Sequence, residues 1–457
     1  MSRKPVHVGS KRQLFIDEEL IEQAQNVRLV VNKPFKTGEK CIVAEYPWEG
    51  HRIGGYNSVM EDNGIYKMWY DSIDNDGQRW LCYATSKDGV RWEKPMLKVV
   101  AHKNIEKTNI VFPTKPRPFE PGCVFKDTRP STAEDEKYKM ACSYTPEEGE
   151  PGVYAFSSPD GVHWKQLSDK PSFRPSDTGN VCFWDGRTGS YVAYVRVWAP
   201  MRKVGRCEFN DITNWGKEKT TFSYDELDPP DMDFYNSAAV KYPYADDVYL
   251  MFPSAYHHYP EPPKGKHRND GPLDIRFAVS RDGIAWKRPD RGPFIPLGVK
   301  GQWDDSALYM TTGMIRNDNQ LFMYYSGYDF THGAYEIKRD KFKGVISRVT
   351  IRSDGFASLD SDYTGGRVVT KPLTFKGDRL NLNVDTGVAG EARVELLDSH
   401  GKPITGYSLT ESDPVRGNFV EKTVTWNGDS DISRFAGKPV KLHFFLRDAK
   451  LYAFQFR

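Results

Sequence analysis

Acidic residues recur at one place along this chain, just ahead of successive strand-like segments. Glu49 stands in Trp48-Glu-Gly-His-Arg52, and Glu120 precedes Gly122-Cys-Val-Phe125. Asp177 lies in Ser176-Asp-Thr-Gly-Asn180, Asp233 in Asp231-Met-Asp-Phe-Tyr-Asn236, and Asp304 and Asp305 in Gln302-Trp-Asp-Asp-Ser306. One such carboxylate is an ordinary turn or strand cap. A set in register points to chemistry, because like charges gathered without a function repel. Two carboxyl groups that face each other can cleave an acetal. One protonates the leaving oxygen while the other acts as base or nucleophile.

Other residue types beside these acids would support such a site. Arg196 follows the apolar run of Tyr191-Val-Ala-Tyr-Val195, so its charge needs a carboxylate partner, either in a core ion pair or in orienting a substrate. His51 and Arg52 adjoin Glu49. Trp198 and Tyr235 are aromatic faces on which a sugar can stack, although core packing competes for both. His257 belongs to Tyr256-His-His-Tyr259, ahead of a Pro-rich charged insertion from Pro260 to Gly271, which reads as a loop over a site mouth. Adjacent histidines on a strand point opposite ways, so a metal pair is not expected. His332, in Thr331-His-Gly333, is placed to reach a hydroxyl. None of these residues has metal-ligand spacing. No cofactor is required by the pattern; the carboxylates leave room for a structural calcium ion, but no loop demands one.

What must position these residues is read from a repeat. Ser86-Lys-Asp-Gly-Val-Arg-Trp92 returns as Ser158-Pro-Asp-Gly-Val-His-Trp164 and as Ser280-Arg-Asp-Gly-Ile-Ala-Trp286. Degenerate copies are Asn210-Asp-Ile-Thr-Asn-Trp215 and Ser353-Asp-Gly-Phe356. Their aspartates fall at 88, 160, 211, 282 and 354, in steps of 72, 51, 71 and 72 residues. Strand-like runs such as Ile65-Tyr-Lys-Met-Trp-Tyr70 precede each copy. Such a period is the signature of a radial β-repeat, and five copies predict an all-β, five-bladed β-propeller over residues 41–364. The motif itself is structural: Asp bonds its turn, Gly supplies a left-handed residue, and Trp packs between blades. It resembles the Asp-box of sialidase propellers. In a propeller the innermost strands line a central channel, so carboxylates ahead of those strands converge on a funnel.

After about residue 365 the period stops. Ala392-Arg-Val-Glu-Leu-Leu397 and Val440-Lys-Leu-His-Phe-Phe-Leu446 alternate apolar and polar, which predicts a small C-terminal β-sandwich over 365–457. Residues 1–40 are read as an extension that packs on the propeller or closes its ring.

Bulk composition excludes several classes of function. Among 457 residues, 64 Lys and Arg balance 62 Asp and Glu, so no basic footprint for nucleic acid exists. No apolar stretch is long enough to span a membrane. Six cysteines, at 41, 82, 123, 142, 182 and 207, form no CxxC pair and read as small buried hydrophobes. The N-terminus has basic residues with no apolar run behind it. It suits a cytoplasmic protein, or a secreted or periplasmic one whose signal peptide has been removed. Oligomeric state leaves no mark in the sequence.

Strand-initial carboxylates on a five-bladed propeller resemble the furanosidase-like glycoside hydrolases, including families 32, 43, 62 and 68. The chain is more closely similar to a set of bacterial family 32-like glycosyl hydrolases. That likeness is carried by Leu14-Phe-Ile-Asp-Glu-Glu-Leu-Ile21, Asp177-Thr-Gly-Asn-Val-Cys-Phe-Trp-Asp185, Asp233-Phe-Tyr-Asn236, Thr370-Lys-Pro-Leu-Thr-Phe375 and Leu451-Tyr-Ala-Phe-Gln-Phe456. The resemblance implies a propeller with a sandwich and a carboxylate site that hydrolyses glycosidic bonds of an oligo- or polysaccharide. The family 32 motif Asn-Asp-Pro-Asn-Gly is missing, and Glu49 stands where family 43 has Asp, so no acid, base or nucleophile role transfers to a particular residue. The rival readings are a phosphorylase or transglycosidase on the same fold, and a carbohydrate-binding propeller without catalysis.

Overall fold

The protein is described by a computed structural model covering residues 4–112, 120–260, 269–334 and 343–457. It is all-β: no α-helix occurs among the described residues, and the strands are arranged as a propeller with a further sheet. Most of the charged insertion that follows Pro260 lies outside the described residues.

Antiparallel sheets follow one another in chain order. The first runs from Arg52–Ile53 to Ile110–Phe112, the second from Glu120–Lys126 to Lys165–Gln166, and the third from Val181–Asp185 to Lys219–Phe222. The next stretch departs from the sequence expectation of two separate blades. Leu273–Ile275 runs parallel to Ala307–Met310, pairing at Leu273 and Ala307, and this fuses the two strand groups into one eight-stranded sheet. Val240–Lys241, Tyr249–Met251 and Ala278–Ser280 stand beside it as a separate small sheet.

Two contacts bring the end of this series back to its beginning. Phe35–Val43 pairs antiparallel with Val345–Arg352, so an N-terminal strand completes the last sheet. Val59 N donates to Thr312 O and Thr312 N to Asn57 O, each at 2.9 Å, joining the innermost strands of the first and last groups. The remaining N-terminal strands go elsewhere. Val6–Gly9, Gln13–Leu14, Ile21–Gln25 and Arg28–Val31 join a ten-stranded sheet built around Leu380–Asp398 and Val440–Phe456. Its apolar face encloses Phe15, Leu382, Val394, Phe444 and Phe454 in a core of its own.

The repeated motif shows why the sheets stay in register. In each full copy the aspartate Oδ1 accepts two backbone N–H groups, from Val90 and Arg91, Val162 and His163, or Ile284 and Ala285, at 2.8–2.9 Å. The glycines take φ of 71°, 83° and 73°, open to glycine at no steric cost. Each glycine carbonyl then accepts a hydrogen bond from an aromatic side chain of a neighbouring sheet: Gly89 from Tyr324, Gly161 from Trp69, and Gly283 from Tyr194, at 2.6–2.7 Å. The motif is thus a latch between sheets, and the tryptophans reinforce it: Trp92 packs edge-on against Tyr324 and Trp286 against Tyr194. All six cysteines are free, five of them buried and Cys41 half-buried.

A charge cluster adds a pH-dependent contact. Asp62 is 1% exposed and receives Lys126 at 2.6 Å, Lys67 at 3.2 Å, Lys137 at 3.4 Å and the Tyr138 hydroxyl. Burial alone would raise its carboxyl, but Lys126, Tyr138 and Lys67 outweigh it and hold it well below the ordinary carboxylate range. A depressed pKa adds stability above the unfolded value and loses it as pH falls toward the folded one. Asp62→Asn is expected to cost about 1–2 kcal/mol at pH 7, since it takes the counter-charge from three partly exposed ammonium groups. Urea titrations should show that gap closing below about pH 4, where the unfolded aspartate takes up its proton. A gap that is constant with pH would contradict the assignment.

Candidate active site

Between the second and third sheets lies a pocket of about 340 Å³ lined by Glu120, Tyr144, Ser176, Asp177 and Trp198. Local structure explains each placement. Glu120 is the first residue of the strand Glu120–Lys126. Asp177 sits in the turn before Val181–Asp185, a turn braced by Ser176 and Asn180 side chains at 2.8 Å. Trp198 ends the strand Ser190–Trp198, which is buried at every position through Arg196 and emerges into solvent over its last two residues. It is 53% exposed, unusual for so large an apolar surface, and it borders the pocket.

Each of the two pocket carboxylates is held by a guanidinium behind it. Arg79 donates to Glu120 Oε1 at 2.8 Å, and its Nε lies 3.4 Å from Asp71. Arg196 donates to Asp177 Oδ1 at 2.7 Å, with further bonds to the Asp177 and Tyr235 carbonyls at 3.2 and 2.6 Å. The side chain of Asp177 is 69% exposed and that of Arg196 2%. The carboxylate therefore faces solvent while its partner is fixed from below. Asp71 is fully buried, and Arg52 also reaches it, at 3.3 Å. Burial pushes the Asp71 carboxyl above its ordinary range, against the pull of Arg79 and Arg52. An aromatic pair ties these two groups together: Tyr56 donates to the Tyr235 hydroxyl at 3.1 Å, with Arg79 near the Tyr56 ring and Arg196 4.3 Å over that of Tyr235.

Asp233 is 1% exposed and lies deeper. The Arg202 backbone N–H and Nη1 both donate to its Oδ2 at 3.2 Å, and His258 Nε2 lies at the same distance. His332 meets the Tyr309 hydroxyl at 2.5 Å and packs against Tyr235. Burial, reinforced by Arg202, Arg196 and Arg52, holds its imidazole well below the usual range, so it is neutral at physiological pH. His51 and Arg52 are buried beside these groups, each 7% exposed. His257 turns away from His258 toward Asp274, 3.5 Å away, and Arg276, 3.3 Å away.

The structure does not gather all of the strand-initial acids. Glu49 is wholly buried and spends Oε1 on the Tyr70 hydroxyl and Oε2 on the Glu45 and Tyr46 amides and Lys94. Asp304 is bound by Lys36 at 2.6 Å and the Tyr325 hydroxyl at 2.9 Å. Asp305 caps its own loop through Gly301 N and the Ser306 hydroxyl. All three carboxyl groups are occupied by turn and strand contacts, not by one another or by the pocket pair.

Asp71, Arg79 and Arg202 were not singled out in the sequence, and His258 was weighed only as half of an adjacent histidine pair. A usable signal existed for Asp71. It ends the apolar run of Met68-Trp-Tyr70, which is the same pattern that marks Arg196. Among the described residues, no group of three or more His, Cys, Asp or Glu side chains could hold a metal ion. No helix among them is long and apolar enough to cross a membrane.

No protein-family model matches the chain, and no curated protein matches it. Solved structures do. A thermostable family-43 glycoside hydrolase is 14% identical, with 72% of this chain and 96% of that one covered and a TM-score of 0.46. A glycosyl hydrolase from Bacteroides ovatus is 16% identical over 74% of this chain and 93% of that one, at a TM-score of 0.43. An N-acetylgalactosamine deacetylase from F. plautii, in complex with blood group B trisaccharide, is 15% identical over 72% and 96%, at 0.49.

Proposed function

We propose that the protein is a glycoside hydrolase in which Glu120 and Asp177 form the working carboxylate pair and Trp198 is the sugar platform. One observation carries this reading. A single solvent-reaching pocket holds two carboxylates beside an exposed indole, one backed by the half-buried Arg79 and the other by the buried Arg196. Acetal cleavage asks for such a set. One carboxyl protonates the departing oxygen, the other acts as base on water or as nucleophile at the anomeric carbon, and an aromatic face orients the ring. Arg79 and Arg196 are positioning residues in this scheme, because each acts through the carboxylate it holds. The substrate is an oligo- or polysaccharide. The wider architecture is read as five blades, with the small sheet of Val240–Lys241 and its partners belonging to the fourth, and the ten-stranded sheet as a sandwich against them. Release of sugar by the wild-type protein, lost in Glu120→Gln and Asp177→Asn, tests this reading.

The platform role has its own expected outcome. Trp198→Ala should raise KM about tenfold with a smaller effect on kcat, since stacking of this kind contributes on the order of 1 kcal/mol. An unchanged KM in steady-state kinetics would remove Trp198 from the site.

A further inference from the structure

Arg202 is a buried guanidinium with most of its five N–H donors uncommitted. It is 5% exposed. Its Nη1 goes to Asp233, yet Nε is buried without a hydrogen-bond partner, and no bond from Nη2 occurs among the described residues. Nε–H and Nη2–H lie along one edge of the guanidinium plane, the edge that receives two oxygens of a carboxylate or phosphate side by side. Nε is buried, so leaving it unfilled is costly, and a ligand that bridges Nε–H and Nη2–H would fill it.

The surroundings favour an anion. The guanidinium lies 4.4 Å from the Trp198 ring centroid and 5.3 Å from those of Tyr235 and Tyr256, and these rings hold its plane in place. Arg196 stands over the same Tyr235 ring, and its Nε too is buried without a partner. Asp233 is the opposing charge paired with Arg202: its Oδ2 is engaged by the Arg202 backbone N–H, Nη1 and His258, and its Oδ1 is buried without a hydrogen-bond partner. Trp198, over which this guanidinium lies, also lines the carboxylate pocket.

We infer that the Nε–Nη2 edge of Arg202 binds an oxyanion that takes part in the reaction, either the carboxylate of an acidic sugar in the substrate or inorganic phosphate. As a statement about substrate class this rests on the glycoside-cleaving reading; as a statement about binding it does not.

Titration calorimetry of the full chain at fixed ionic strength tests it, with inorganic phosphate, galacturonate and galactose as probes. One of the two anions should bind at least about tenfold more tightly than neutral galactose, and Arg202→Lys should weaken it by about tenfold or more, because lysine keeps the charge but not the paired donors. Binding of phosphate alone assigns the site to free phosphate, and binding of galacturonate to a sugar carboxylate. Anion binding no tighter than that of galactose overturns the inference, and so does an Arg202→Lys variant that binds like wild type. The wild-type comparison of the three probes decides the matter even if the variant does not fold. Turnover of neutral glycans without anion binding would overturn this inference and leave the hydrolase reading standing. Anion binding without turnover of any glycan would overturn the hydrolase reading and the anion's part in a reaction, and leave the binding site itself standing.

Discussion

Asp177→Asn and Glu120→Gln should each lower turnover by about 10²- to 10⁴-fold, the range that a positioned acid or base contributes. Both variants should keep the fold. The Asp177 side chain is largely in solvent, and without its charge Arg196 retains the carbonyls of Tyr235 and Asp177. Without the Glu120 charge, Arg79 retains Asp71. Steady-state rates on a cleaved glycan, read beside urea unfolding midpoints, separate the two effects. A kcat/KM near wild type in both variants would show that these carboxylates do not carry the reaction. Loss in only one would assign the second role to another group, with Asp233 a candidate through Arg202, which it binds and which lies over Trp198.

The largest effect on stability is expected from Trp69→Ala. Trp69 is fully buried, donates its indole N–H to the Gly161 carbonyl at 2.6 Å, and packs against Tyr83 and Tyr138. The contact is close: a Cβ on Gly161 would fall 2.4 Å from the Trp69 ring. Truncation opens a cavity between the first and second sheets and leaves that carbonyl without its donor. A loss of about 3–5 kcal/mol is expected, measured as a lowered urea midpoint. A shift below about 1 kcal/mol would mean that the latch between sheets adds little to the fold.

The same latch shows how far the sequence could be read. The Asp-Gly-x-x-Trp copies announce themselves because a turn residue at positive φ, an amide-binding carboxylate and an interface tryptophan are all local requirements. Glu120, Asp177 and Trp198 were each singled out in the sequence, and they line one pocket. The partner that Arg196 needs proves to be Asp177, 19 residues back in the chain. What stayed hidden depends on contacts between distant segments. Arg79 reaches Glu120 across two sheets, and the fusion of strand groups at Leu273 and Ala307 is a single parallel contact with no local pattern to announce it. Glu49, Asp304 and Asp305 teach a complementary lesson. Standing ahead of a strand does not decide whether a carboxyl turns to the channel or closes on a nearby amide, hydroxyl or lysine. In these three the nearby groups hold it.

Cleavage of glycosidic bonds by this chain is the activity from which the roles of Glu120, Asp177 and Trp198 follow. Its most direct test is to incubate the purified protein with a broad panel of plant, algal and microbial glycans, with and without phosphate, and to identify the sugars released. Sugar release is expected from at least one glycan in the absence of phosphate, abolished in the Asp177→Asn variant. Binding to a glycan with no sugar released under either condition would contradict it and leave a propeller that binds carbohydrate without cutting it.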